Sequence, residues 1–162
     1  MPDGFSNIIQ EIFTKLDEKG WMLTIAESCT GGLISAAITN ESGSSVYFDR
    51  SFITYSNESK IDCLGVFPET VAEHGAVSQQ TAHEMAKGAL KNSKSHIALS
   101  VAGIAGPTGG SAEKPVGLVY IGHAVKGGAS QAQSFNFPNL SREEVRHRTV
   151  EKALQILLAQ LS

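Results

Sequence analysis

Apolar residues recur along this chain with two different periods, and the switching between them lays out the fold. Phe5, Ile8, Ile9, Ile12, Phe13 and Leu16 keep the i, i+3, i+4 spacing of a helix with one buried face, and Gly20 supplies a stop. The segment WMLTIAES (21–28) then reads as a short buried strand. From about Thr30 to Thr39, Leu33, Ile34, Ala37 and Ile38 return to one helical face. Residues 46–55, VYFDRSFITY, are aromatic and β-branched and predict a second strand, followed by a short helix with Asn57 as its N-cap. Ser78 is placed to cap a helix whose apolar face is Ala82, Met85, Ala86, Ala89 and Leu90. HIALSVA (96–102) predicts a third strand, and VGLVYIGHAV (116–125) and SQAQSFNF (130–137) two more, joined as a hairpin at Gly127-Gly128. The last helix has the clearest start: Ser141 and Glu144 match a capping box, and Leu140 with Val145 a hydrophobic staple. Strands alternate with helices and a hairpin is added at the end. The expected class is α/β, a three-layer α/β/α sandwich with a mixed sheet in a single domain spanning residues 1–162.

Composition narrows the function classes. A chain of 162 residues can bury a core without staples, and its two cysteines, Cys29 and Cys63, are too few for a disulfide framework. The net charge of −3 comes from interspersed charges, with no basic run to follow a nucleic-acid backbone. No apolar stretch is long enough to span a bilayer. The N-terminus MPDGFSNIIQEIF reads as helix and lacks the charged start and apolar centre of a signal peptide. The expectation is a soluble cytoplasmic protein with reduced thiols and no nucleic-acid or membrane partner. The five histidines show no close pairing and no Cys/His cluster has zinc spacing, so neither a metal nor a cofactor is expected.

Three polar, glycine-bearing segments fall at junctions between elements, where open α/β sheets bind ligands. In AESCTGG (26–32) a strand runs into a helix start, whose free N–H groups suit an anion or an oxyanion; equally, Ser28 or Thr30 could serve only as an N-cap. Cys29 lacks a histidine partner and has Glu27 beside it, which fits packing better than nucleophilic work. The segment GSSVYFDRSFITYSNESK (43–60) carries Ser44, Ser45, Tyr55 and Lys60. A lysine in a first helical turn is disfavoured as a cation by the macrodipole, and burial adds to this. Such an amine can take a proton from a serine hydroxyl, although an ordinary solvated lysine is the competing account. GIAGPTGG (103–110) is neither a Walker motif nor a G-x-G-x-x-G fingerprint, and both an amide nest and a structural turn stand open for it. Arg142 and Arg146, at i and i+4, could present cations to a phosphate or simply face solvent.

Taken together, TIAESCTGG, GSSVYFDRSFITYSNESK, HGAVS and GIAGPTGGSAEKPVG, in this order, resemble the C-terminal domain of CinA proteins, the nicotinamide-nucleotide amidohydrolase (NMN deamidase) family. The resemblance covers nearly the whole chain from about Leu23. It implies an α/β/α fold, a homodimer, no metal, and hydrolysis of the carboxamide of nicotinamide mononucleotide to nicotinate mononucleotide and ammonia, a step of pyridine-nucleotide salvage and NAD recycling. It implies catalytic roles for Ser45, Lys60, Tyr55 and Ser28, and substrate contacts from Glu27, Thr30, Gly31, Gly103, Gly106, Gly109, Gly110 and Arg142. In the mechanism it suggests, neutral Lys60 takes the proton of an attacking serine. Ser45, close in sequence to Tyr55 and Lys60, is favoured as nucleophile over Ser28. Glu27 is expected near the pyridinium and Arg142 near the 5′-phosphate. The chain departs from the family in having Ala102 where Ser or Thr is common, and PNLSR where Gly-Asp-Arg is common. A non-catalytic nucleotide-binding module and an amidohydrolase for another small carboxamide are the alternatives.

Overall fold

The computed structural model describes residues 4–162; residues 1–3, part of the N-terminal segment read as helical, lie outside it. Five strands form one mixed sheet in the order β2-β1-β3-β4-β5. Strands β1 (Leu23–Glu27), β2 (Phe48–Ile53) and β3 (Ile97–Gly103) are parallel, with β1 between the other two. Strands β4 (Leu118–Val125) and β5 (Ser130–Asn136) continue the sheet antiparallel. The hairpin joining them turns at Gly127, whose φ of 70° a side chain would oppose, and Val125 N–H donates to Ala129 O across it at 3.1 Å.

Period-2 alternation gives the sheet two unlike faces. Leu23, Ile25, Ile97, Leu99, Val101, Val119 and Ile121 point to one side, where helices α1 (Ser6–Lys19), α2 (Leu33–Thr39) and α6 (Arg142–Leu161) cover them. Ala26, Ala98, Ala102 and Ala124 point to the other, under α3 (Asn57–Leu64), α4 (Pro68–His74) and α5 (Gln79–Lys91). Small residues on that face let α5 lie close to the strands. A Cβ at Gly122 would meet the Ala82 carbonyl oxygen at 2.7 Å, and one at Gly88 would strike Leu64 O. Three layers result, as the alternating pattern predicts.

The end signals account for most boundaries. Ser78 Oγ accepts from Thr81 N–H at 3.1 Å, and the capping box of α6 closes in both directions, Glu144 N–H to Ser141 Oγ and Ser141 N–H to Glu144 Oε2. Two expectations shift. The N-cap of α3 is Ser56, not Asn57: its Oγ accepts from Ser59 N–H at 3.0 Å, which puts Lys60 one position further into the helix. The strand expected over 46–55 shortens to Phe48–Ile53, because Gly43 at φ 85° starts a 3₁₀ turn over Ser44–Val46. Helix α4 carries no apolar period in PETVAEH and gave no signal beyond Pro68 at its first position.

Candidate active site

After a one-residue shift between Leu23 and Thr24, parallel pairing of β1 with β2 stays in step to its end, where Glu27 pairs with Ile53. The residues that follow the two strands therefore emerge side by side at the same sheet edge. Ser28 follows β1, Thr54 and Tyr55 follow β2, and Lys60 comes back from α3. Lys60 is 1% exposed. Its Nζ donates to Thr54 O at 2.7 Å, approaches Ser28 Oγ at 3.0 Å, and reaches Tyr55 O at 3.3 Å. Among the described residues no carboxylate lies within 4.0 Å of it. Burial without an anionic partner disfavours the ammonium and holds its pKa below the ordinary 10.5. Three oxygens surround Nζ, so an ammonium would donate to all of them, whereas a neutral amine would donate to the two carbonyls and turn its lone pair to the Ser28 hydroxyl.

Ser28 is only 9% exposed, and its turn is held from two directions. Its own N–H donates to Val101 O on β3 at 3.2 Å. From α6, Arg146 donates through Nε to Cys29 O at 3.0 Å and through Nη2 to Thr30 O at 3.1 Å. The Cys29 carbonyl and the Thr30 amide belong to one peptide plane, so fixing the carbonyl toward Arg146 fixes that N–H toward the opposite side. The Thr30 amide has no hydrogen-bond partner among the described residues, and the Cys29 amide has none beyond its own thiol. The Cys29 thiol itself is buried, and desolvation pushes its pKa up to about 11, consistent with a packing role.

Several expected site residues are placed elsewhere or used otherwise. Ser45 is exposed in the 3₁₀ turn that precedes β2, at the opposite edge of the sheet. The six residues of β2, at about 3.3 Å each, put roughly 20 Å between it and Lys60. Glu27 does not face an open site. It is 0% exposed, and its carboxylate accepts from the Gly32, Ile34 and Ser35 amides and the Thr30 and Ser35 hydroxyls. That is an anionic cap for α2, stabilised by the helix dipole, with no room for a pyridinium. Thr30 is likewise 0% exposed with its hydroxyl spent on Glu27 at 2.6 Å. Gly31 is exposed beside them, its N–H closing a turn onto Ser28 O at 3.0 Å.

The glycine loop answers to two constraints at once. A Cβ at Gly103 would sit 3.2 Å from Cys29 Sγ and 2.8 Å from Val119 Cγ2; one at Gly106 would strike Val116, and one at Gly110 would lie 2.8 Å from the Val116 amide. Close approach of the chain to itself thus explains these glycines. A Cβ at Gly109 would make only an ordinary contact with Ile104 Cγ2 at 3.8 Å, and its φ of 89° is what calls for glycine there. The amides of Ala105, Gly106, Thr108, Gly109 and Gly110 still lack partners among the described residues, which leaves a run of free donors beside the site. Arg142 ties this loop to the rest: Nη1 donates to Gly106 O at 2.8 Å and Nη2 to Tyr55 Oη at 3.1 Å. Tyr55 is 62% exposed, so its ring is open to a bound molecule. Ala102, where the family often carries a hydroxyl, is 1% exposed in the cluster beneath α5. Among the described residues no group of three His, Cys, Asp or Glu side chains could hold a metal ion. None of the helices is long and apolar enough to cross a membrane among the described residues.

The model of the CinA C-terminal domain family matches residues 6–161, nearly the entire described chain. The chain belongs to the CinA C-terminal domain family. Among its relatives is the nicotinamide-nucleotide amidohydrolase PncC of Enterobacter agglomerans, 51% identical over 148 residues that make up 91% of this chain and 90% of that protein. A CinA-like protein of Endomicrobium trichonymphae is 55% identical over 86% of this chain, but the match spans only 32% of that longer protein. The crystal structure of the competence/damage inducible protein CihA from Agrobacterium tumefaciens superposes with a TM-score of 0.92 at 47% identity, covering 94% of this chain and 93% of that one. Members of this family therefore occur both as short chains and as part of larger ones.

Proposed function

We propose that this CinA-family domain is an amidohydrolase that converts nicotinamide mononucleotide to nicotinate mononucleotide and ammonia, with Ser28 as nucleophile and Lys60 as its base. The observation that carries the reading is the 3.0 Å contact between Ser28 Oγ and a buried amine without a carboxylate partner. The substrate follows from kinship to the amidohydrolase of Enterobacter agglomerans along nine tenths of both chains.

In this reading Ser28 Oγ attacks the carboxamide carbon as its proton passes to Lys60 Nζ. The carbonyl oxygen gains negative charge and is met by the free Thr30 amide, with the Cys29 amide beside it, as in an oxyanion hole. Collapse expels the nitrogen, which takes the proton back from Lys60 and leaves as ammonia. Water then attacks the resulting ester with Lys60 again as base, and nicotinate mononucleotide is released. Arg146 acts as a positioning residue by orienting the Cys29–Thr30 peptide. Tyr55 and Arg142 form the rim for the nucleotide, and the free amides from Ala105 to Gly110 suit its phosphate.

Ammonia release from nicotinamide mononucleotide by the purified protein tests the reading. Turnover that disappears in Ser28→Ala supports it, and full turnover in that variant sinks the assigned nucleophile. Binding without any ammonia would leave the domain as a nucleotide-binding module.

A further inference from the structure

A second concavity, of mixed polar and apolar lining, lies at the opposite edge of the sheet, where β3 begins and β4 ends. The groove has a volume of about 410 Å³, within the range that small ligands occupy. Its walls carry Lys87 and Lys91 from the last turns of α5, Lys126 from the hairpin, and the hydroxyl residues Ser93, Ser95 and Ser130. Among the described residues none that lines it is acidic. None of the three lysines reaches a carboxylate within 4.0 Å among the described residues, although the chain as a whole carries a net charge of −3. Glu84, on the outer side of α5, is engaged by the Phe67 amide at 2.9 Å.

Unpaired ammonium groups sharing a concave wall repel one another at less than a Debye length, and an anion between them relieves this. An independent observation points the same way. Ser95 is 2% exposed, and its Oγ is one of two buried side-chain polar atoms with no hydrogen-bond partner among the described residues. Its N–H is satisfied by Ser93 Oγ at 3.3 Å, and Ser130 Oγ is shared with His83 Nε2 at 2.7 Å. A buried hydroxyl left over beside a cationic groove is a donor that a ligand oxygen would satisfy.

We infer that this groove is a binding site for a small phosphate-bearing anion, separate from the Ser28–Lys60 site and independent of the amidohydrolase reading. The three lysines supply the charge, and the serines supply neutral donors to phosphoryl oxygens.

Calorimetric titration of the intact protein with inorganic pyrophosphate tests the inference, with orthophosphate and ribose 5-phosphate as comparison probes. The expected result is binding by at least one probe that weakens about tenfold or more in Lys87→Gln/Lys91→Gln/Lys126→Gln, and falls with added salt. Arg142→Gln, which alters the other phosphate candidate, should leave it unchanged. Ser95→Ala should weaken it without lowering Tm, because no protein partner of that hydroxyl is lost. No heat from any probe at about 1 mM overturns the inference. So does binding that the lysine variant retains, or binding that Arg142→Gln abolishes.

Discussion

The two edges of the sheet hold lysines in opposite conditions. At the edge where β3 begins, Lys87, Lys91 and Lys126 stand exposed around an open groove, placed to attract an anion. At the other edge a single lysine is drawn almost completely out of water, given two carbonyls and a hydroxyl, and left without a counter-charge. In the proposed mechanism the same side chain is an electrostatic fixture in one place and a proton acceptor in the other. Solvation alone makes the difference, since a hydrated ammonium has no lone pair to offer.

The largest effect separates the two serines that precede and follow this contrast. Ser28→Ala and Lys60→Met should each lower ammonia release from nicotinamide mononucleotide by about a thousandfold or more, as loss of a nucleophile or its base does. Ser45→Ala, at the lysine-rich edge, should change kcat/KM less than about twofold. A severe loss in the Ser45 variant of a folded protein would undo the assignment of chemistry to one edge.

Next in size is the support behind the nucleophile. Arg146→Lys keeps a cation but cannot hold the Cys29 and Thr30 carbonyls together, because an ammonium lacks the planar fork. A drop of about ten- to a hundredfold in kcat with KM nearly unchanged is expected, the pattern of a misplaced transition-state donor. A rise in KM alone would mean that Arg146 binds substrate. Smaller again is the response to pH. Activity requires the neutral amine, so kcat/KM should climb about tenfold per pH unit along its acid limb, with a midpoint below the ordinary lysine value of 10.5. A limb centred at 10.5 would show an amine titrating in water.

How far this contrast was legible in the sequence depends on distance along the chain. The capping box at Ser141, the cap at Ser78, the Gly127 hairpin and the helical stripe from Phe5 to Leu16 are local signals, and the structure keeps them. Residue types fit for chemistry were also visible, Lys60 and Ser28 among them. Their partnership was not, because Ser28 and Lys60 stand 32 residues apart and meet only through the parallel register of β1 and β2. Proximity in sequence favoured Ser45, yet β2 intervenes and carries the chain across the full width of the sheet. Direction along the strands favours Ser28 instead: Ser28 and Thr54 follow parallel strands, at the edge where such sheets bind ligands, whereas Ser45 precedes one. Glu27 misled for a related reason. A carboxylate five residues before the first residue it caps matches no short capping motif, and only the tight Ser28–Gly32 turn folds it back onto α2.

The smallest effect concerns stability. An unfolded chain holds the Lys60 proton up to pH 10.5, and the folded chain releases it at lower pH. Between those two points the unfolded state binds more protons, so the Lys60 contribution to stability rises with pH; below both it is flat and at its least favourable. Lys60→Met keeps the aliphatic length and removes the group whose charge must be given up or desolvated. The variant should therefore gain stability while losing activity, each kcal/mol recovered raising Tm by about 2–4 °C. The gain should shrink as pH rises toward and past 10.5, above which the wild-type amine is neutral in both states. The Thr54 and Tyr55 carbonyls lose their donor in the variant, which offsets part of the gain at every pH but not its slope. The slope is thus the decisive quantity. The same measurement on Lys87→Met should show no pH-dependent gain, since that ammonium is solvated whether the chain is folded or not. Equal slopes for the two variants would erase the distinction between the edges.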